Sequence, residues 1–599
     1  MPAFLFAPKY GLAVCLLSAI CFTSCSIDPD FNPIANIPLN QQDLTTKVTA
    51  SLISGFVTDE NDAPVPSASV EAGGIITYTD KYGYFEVKNT LVVQNAATVT
   101  VNKPTHFKAI KTFISAEGKM AFFRIKLMPK TIAGTINASS GGNIALPNGL
   151  IISLPPNAMV NANTNASYTG TVNVAARLIS ATDPDLERIM PGNLQGLNGS
   201  NNLQLLTTYG MAAIELTGSA GESLQLAPLK KAQLTLPIPA AIQSNAPASI
   251  PLWYFNETKG LWMEEGTALK TGNTYTGEVS HFSFWNCDYP GQAIHFECTL
   301  VNQNGQHLQY SFVKISRVIN PYNAVSSYTD SAGFIEGPVL ANENLQMQVY
   351  GNSSCGQPFY SQQFTTGNTN ISLGTVTVNT SGLSANINGT VTNCNFNPVA
   401  NGFIMMLAGN QYFRHPVVNG TFNFNAIPCS FPATVSLIAE DISGNQQSQT
   451  TAYSLIAGNN FIGNLQACGI STQQYIYYTI NGITNYVYTS PADTFTQKTQ
   501  YLPVIVNITG SHFGTPNGFT DIWFLQSGIA QGSSQPLAFF HNNQLDSPLT
   551  VINPIAINIT EYGTPGQFIA GNFSGVLKGK PPAYPLYNVV CAFRVRRYQ

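Results

Sequence analysis

The stretch SGFVTDENDAPVPSASVEAGGIITYTDKYGYFEV, residues 54–87, reads as strand, turn, strand, turn, strand, and its punctuation decides the fold. Asp59 and Pro64 break the first apolar run. Thr79-Asp80 with Gly83 then makes a tight turn, because an Asp side chain accepts backbone N–H bonds and Gly tolerates the left-handed conformation. Tyr84 and Phe85 open the next strand. The phrase YTDKYGY at 78–84 returns as YTDSAGF at 328–334, after HFECTLVNQNGQHLQYSFVKI (295–315) in the same order, with Leu308-Gln309 where the proline is expected. A looser third unit runs from NINGTVTNCNFNPVANGFIMM (386–406) to VVNGTFNFNAIP (417–428), and Asn419-Gly420 takes over the turn. The phrase recurs because a β-sandwich module of roughly 80–90 residues recurs, a period too long for a solenoid repeat.

The rest of the chain has the same character. Short Val/Ile/Thr/Tyr/Phe-rich segments alternate with Gly, Pro, Asn and Asp, and long 3.6-period stripes are missing. YIYYTINGITNYVY (475–488) is a hairpin about Asn481-Gly482, with the positive φ angles of a type I′ turn. DPDLERIMPGNLQ (183–195) tempts a helical reading, which Pro191-Gly192 cuts short. A length of 599 residues exceeds one core and implies several domains. The expected fold class is all-β, a multi-domain chain of β-sandwich modules with a C-terminal β-domain. Only 9% of residues are charged, against roughly 25% in typical soluble domains. With 26 basic and 30 acidic residues and a formal charge of −4, no broad electropositive surface exists for a nucleic-acid backbone.

The N-terminus carries an address. Lys9 and Tyr10 precede GLAVCLLSAICF (11–22), too short for a membrane span of about 20 residues but right for a signal-peptide core. FTSC follows, with small Thr23 and Ser24 before Cys25 and a polar tail after it. This resembles the lipobox of bacterial lipoproteins, although Phe22 stands where Leu is commoner; the resemblance implies cleavage before Cys25 and acylation of its thiol. Several acyl chains on one cysteine give stable anchoring where a single chain does not. The expected partners are therefore a membrane, reached through the lipid anchor, and a protein or polysaccharide at the cell surface.

Residues 49–130, with Gly55, Val57, Asp59, Pro64, Ala68, Val70, Thr79, Asp80, Gly83 and Phe85 in place, resemble the transthyretin-like sandwich called the carboxypeptidase regulatory domain. Residues 131–289, with GLIISLPPNAMV (149–160), LTTYGMAAIEL (206–216), IPLWYFNETKGLWMEEG (250–266) and SHFSFWNCD (280–288), are similar to the extracellular domain of cartilage intermediate layer proteins. That resemblance implies a structural or interaction module and carries over no catalytic residues. Residues 469–599, by GQFIAGNFSG (566–575) and FRVRR (593–597), look like C-terminal β-domains of Bacteroidetes surface lipoproteins. The expected organisation is a signal peptide (1–24), a linker (25–48), a sandwich (49–130), a β-rich domain (131–289), two further sandwiches (290–380 and 381–468) and a C-terminal β-domain (469–599).

Candidate site residues are few. Trp253, Trp262, Trp285 and Trp523 could stack on sugars, but core packing is the expected role of the Trp253/Trp262 strand pair. His281 and Ser283 in SHFSFW lack an orienting carboxylate in the segment, and no Gly-x-Ser-x-Gly elbow occurs, so a catalytic reading fails. Asp80 and Asp330 offer one carboxylate per copy where calcium needs several oxygens, and are read as turn formers. The other histidines are scattered singly, and neither His-Glu-x-x-His nor Cys-x-x-Cys occurs; no metal and no cofactor are expected. Of the cysteines beyond the signal, Cys298 with Cys355, and two of Cys394, Cys429 and Cys468, are candidate disulfides within their modules, and an odd number leaves at least one over. Arg594, Arg596 and Arg597 suit the charged protection of an edge strand. The expected function is that of a non-enzymatic, outer-membrane lipid-anchored surface protein, acting in adhesion or as an interaction scaffold. The alternative is glycan binding for polysaccharide uptake.

Overall fold

The computed structural model describes residues 44–599 apart from 352–354, 482–483, 490–492, 502–503, 513–518, 526–527, 543–548, 552, 565–566, 580–583 and 598–599. Cys25 and the expected signal peptide lie outside the described residues. Among the described residues no helix is long and apolar enough to cross a membrane. The chain is all-β and multi-domain, and the strands among the described residues are distributed over seven sheets.

The first sandwich has seven strands: β1 (Lys47–Thr58), β2 (Ser69–Ala72), β3 (Ile75–Tyr78), β4 (Tyr84–Val93), β5 (Ala97–Asn102), β6 (Ala109–Phe113) and β7 (Met120–Lys126). One layer has the order β4-β1-β7, the other β3-β2-β5-β6. β1 pairs antiparallel with β4 and parallel with β7, from Leu52 opposite Met120 to Thr58 opposite Lys126. Alternation places Phe85 and Val87 of β4 inward, where they meet Ile53, Val57, Val70, Val99 and Ile125.

The second sandwich repeats this arrangement. Phe334–Leu340, Ala293–Asn302 and Ile371–Val378 form the three-stranded layer, the last two parallel; Asn320–Tyr328, Phe312–Arg317, Asn344–Tyr350 and Tyr360–Thr365 form the other. In the third copy, Thr421–Ala426, Ala385–Thr392 and Gly458–Gln466 again end in a parallel pair, facing Gln411–Val418, Asn401–Ala408, Ala433–Asp441 and Thr451–Leu455. Its two layers are joined into one sheet. Val418 pairs with Thr421 across Asn419-Gly420, whose φ angles of 50° and 72° suit a two-residue turn. The first two copies spend a longer turn at that corner.

The strands of the β-rich region, from Ile132 to Gly291, make a 13-stranded sheet. Besides a 3-10 turn at Ala240–Asn245 the region holds one α-helical turn, Leu186–Ile189, which ends at Met190, extended as a residue before proline must be. In the C-terminal domain Tyr475–Ile480 pairs with Thr484–Thr489, but Ile480 lies opposite Thr484, so the connection holds three residues rather than two. The closing strand Leu586–Arg596 sits between Tyr475–Ile480 and Phe568–Lys578. It is interior, which corrects the edge-strand reading of its arginines. They are engaged within the molecule: Arg594 pairs with Glu561 at 2.7 Å, and Arg597 lies 4.1 Å over the Tyr562 ring.

Candidate functional site at the module junctions

The repeated turn is built alike in both copies. Thr79 Oγ1 donates to the Val65 carbonyl (2.6 Å) and accepts from Ala68 N–H (2.8 Å); Thr329 Oγ1 donates to Leu308 (2.6 Å) and accepts from Ser311 (2.9 Å). Asp80 accepts from the Tyr82 and Tyr84 amides, and Asp330 from those of Ala332 and Phe334. Gly83 and Gly333 have φ near 70°, and a Cβ at either would stand 2.5 Å or less from the Val57 or Leu300 carbonyl oxygen. Only glycine fits there. In the third copy Gly420 accepts from Val391 N–H as Gly83 does from Val57 and Gly333 from Leu300.

These turns also present side chains to neighbouring modules. Tyr82 joins Phe56 and Phe122 of the first sandwich, Tyr328 of the second, and Phe403, Met405 and Ile438 of the third in one buried cluster, with Tyr84, Tyr310 and Tyr412 packed against it. Ser331 of the second turn hydrogen-bonds the Met120 sulfur, and Lys119 lies 4.1 Å over the Phe334 ring. The three sandwiches therefore share an aromatic hub rather than following one another as separate beads.

Two arginines bind the hub. Arg124 donates to the Tyr412 carbonyl (3.0 Å) and lies 4.5 Å over Phe413; its burial pulls its pKa down to about 10. Arg414 reaches the other way, to Glu86 at 2.9 Å, between the faces of Phe403 (4.1 Å) and Tyr84 (4.6 Å). Burial pushes Glu86 up, but Arg414 and Lys88 more than offset it, and the carboxyl lies below its ordinary range. At the rim, Lys81 hydrogen-bonds Gln447, and Arg596 of the closing strand acts on Asp80 and Glu440.

A second junction ties the first sandwich to the β-rich domain. Arg188 donates to Asp62 (2.6 Å), Asp185 (2.9 Å) and Thr58 Oγ1 (2.9 Å), and Lys126 bridges Asp185 (2.7 Å) and Asp62 (3.3 Å). Lys111, fully inside, donates to the Glu187 and Met190 carbonyls, and burial brings its pKa down to about 8. Trp253 and Trp262 share a core with Phe107 and Ile110 of the first sandwich, while Trp285 lies in the β-rich domain's own core.

All three of these tryptophans are 0% exposed, so none can stack on a sugar; Phe255 lies directly opposite Trp262. Trp523 is half-buried, 5.1 Å from Phe539. His281 packs edge-on against Tyr254 and lies 4.0 Å from Glu265, and Ser283 bonds a backbone carbonyl instead. The expected pair among Cys394, Cys429 and Cys468 is present, but the Cys298–Cys355 expectation needs correction. Cys355 is bonded to Cys429, across modules, and Cys298 is free and buried in the core of the second sandwich. Contact between sandwiches through Gly351 and Ile427 brings Cys355 and Cys429 together, while Cys298 points into its own core. Cys394 is bonded to Cys468, and Cys287 and Cys591 are free and buried.

One cluster the linear reading missed lies on the second sandwich. His295 Nε2 stands 3.4 Å from Glu336 and 3.7 Å from Glu297, and makes no hydrogen bond. His295 beside it holds Glu297 below the ordinary carboxylate range, and burial lifts Glu336 above it. The ligand-type residues come from two strands some 40 positions apart, a pattern no linear motif reveals.

No protein-family model matches the chain, and no curated protein matches it. Among solved structures, the shaft pilin SpaA of Lactobacillus rhamnosus GG aligns at 9% identity over 30% of this chain and 98% of its own, with a TM-score of 0.17. BcpA, the major pilin subunit of Bacillus cereus, aligns at 8% over 56% of this chain and 100% of its own (TM-score 0.13). The Bacillus anthracis TIE protein aligns at 9% over 75% and 69% (TM-score 0.13). Likeness at this level carries no argument about function.

Proposed function

We propose that the chain is a non-catalytic cell-envelope lipoprotein, anchored in the outer membrane through Cys25 and acting in adhesion or as an interaction scaffold. The observation that supports this reading most is the hub, seconded by the Cys355–Cys429 bond. Modules held by buried contacts keep their outer loops in fixed relation, and a surface ordered in advance loses less entropy when a partner docks.

The glycan-capture reading loses its main candidates with Trp253, Trp262 and Trp285 inside. What favours it still is the stacked pair Tyr475 and Tyr477, centroids 5.3 Å apart, with Tyr477 49% exposed. A glycan array and a panel of immobilised surface proteins, probed with the full chain, separate the two. Binding to proteins and none to glycans is expected; tight binding to one polysaccharide, abolished by Tyr477→Ala, would overturn the scaffold reading. Labelling with a palmitate analogue, expected in wild type and absent in Cys25→Ala, tests the anchor independently.

A further inference from the structure

On the strand Ala293–Asn302, Phe296 and Cys298 point into the core of the second sandwich, so His295 and Glu297 share the opposite face. Glu336 lies directly across from Glu297 in the register of the neighbouring strand. Like charges opposed across strands repel. Here the side chains are only 13% and 12% exposed, and buried carboxylates need a compensating cation. The Nε2 of His295, on a side chain 9% exposed, has no hydrogen-bond partner and faces both carboxylates. Its separations of 3.4 and 3.7 Å are long for hydrogen bonds. They suit the edge of a coordination tetrahedron, about 3.4 Å for metal–ligand bonds of about 2.1 Å. The three ligand atoms all lie within 4.8 Å of one another.

We propose that His295, Glu297 and Glu336 bind one divalent transition metal, Zn²⁺ by the nitrogen and oxygen character of the donors, with water completing the tetrahedron. Lys119 of the first sandwich acts on both carboxylates from the side and offsets part of their charge. The metal would pin two adjacent strands of the second sandwich next to its contact with the first.

The test titrates chelator-stripped full chain with Zn²⁺ near neutral pH, by calorimetry and by hydrogen exchange. One equivalent binds, and hydrogen-exchange protection on peptides covering residues 293–302 and 334–340 rises. His295→Ala and Glu336→Gln each weaken binding by about 100-fold or more, a larger loss than the roughly 10- to 100-fold typical of groups that only hydrogen-bond a metal ligand. Glu297→Gln keeps volume and removes a buried charge, so loss of binding in that variant with an unchanged circular dichroism spectrum is not a folding defect. His281→Ala, which removes the imidazole beside Glu265, binds like wild type. With Co²⁺ the absorption spectrum lacks a thiolate charge-transfer band, because Cys298 faces the other way. The proposal is overturned if wild type binds no zinc, which leaves the trio as a buried polar cluster without a metal. Binding that survives in both His295→Ala and Glu336→Gln, or a strong thiolate band, overturns it equally.

Discussion

Thr79→Val is the sharpest perturbation of the repeated turn. Valine matches threonine in shape, so packing at this fully buried position is retained while two hydrogen bonds vanish. The Val65 carbonyl and the Ala68 amide are then left unpaired inside the sandwich, at about 1–3 kcal/mol each, and relaxation of the turn recovers part of this, so a loss of about 2–4 kcal/mol is expected. Whole-chain melting is a poor measure in a multi-domain protein. Hydrogen exchange read on peptides covering residues 57–90 is the better assay, and protection there should fall by roughly 30- to 1,000-fold. Thr329→Val, with the same two bonds, should produce the same loss on peptides covering 300–335, and Thr79→Ser should restore most of it. Protection within threefold of wild type in Thr79→Val would refute the assignment of the turn's stability to this hydroxyl.

His415 is buried and stacked at 3.6 Å on Phe424, and burial pushes its pKa from 6.5 down to about 3. The unfolded chain therefore binds an extra proton between pH 6.5 and 3, and stability falls as pH falls through that window. His415→Phe, which keeps the stack, should flatten this acid dependence for the third sandwich, measured by exchange protection against pH. Cys355→Ser removes a cross-link spanning 74 residues, worth about 4 kcal/mol of chain entropy. Limited proteolysis at the boundary between the second and third sandwiches should accelerate sharply, and an unchanged rate would show that the hub alone holds them.

Much of the local structure was legible. Asp59, Asn302 and Asn393 each cap the same turn by accepting two backbone N–H bonds, and residues of that type mark the turn in all three copies. The Trp262 return strand followed from alternation in the same way. What escaped was contact between modules. Phe56 and Val57 are adjacent and both buried, because one faces the hub and the other the sandwich core, and period-two reading assigns one of them to solvent. The expected Cys298–Cys355 pair failed for the same reason, since it assumes modules that do not touch, while the pair within the third sandwich formed as expected between Cys394 and Cys468. His295 and Glu336 met only once register was known.

In each sandwich the first and last strands are neighbours and run the same way. The chain therefore enters a module at one end and leaves it at the other. Tension along the polypeptide loads the ladder between those strands in shear, so its rungs must rupture together instead of peeling open in sequence. Such a clamp gives the first sandwich a resistance to pulling, while in the third the Cys394–Cys468 bond joins the ends of the same two strands and carries the load covalently.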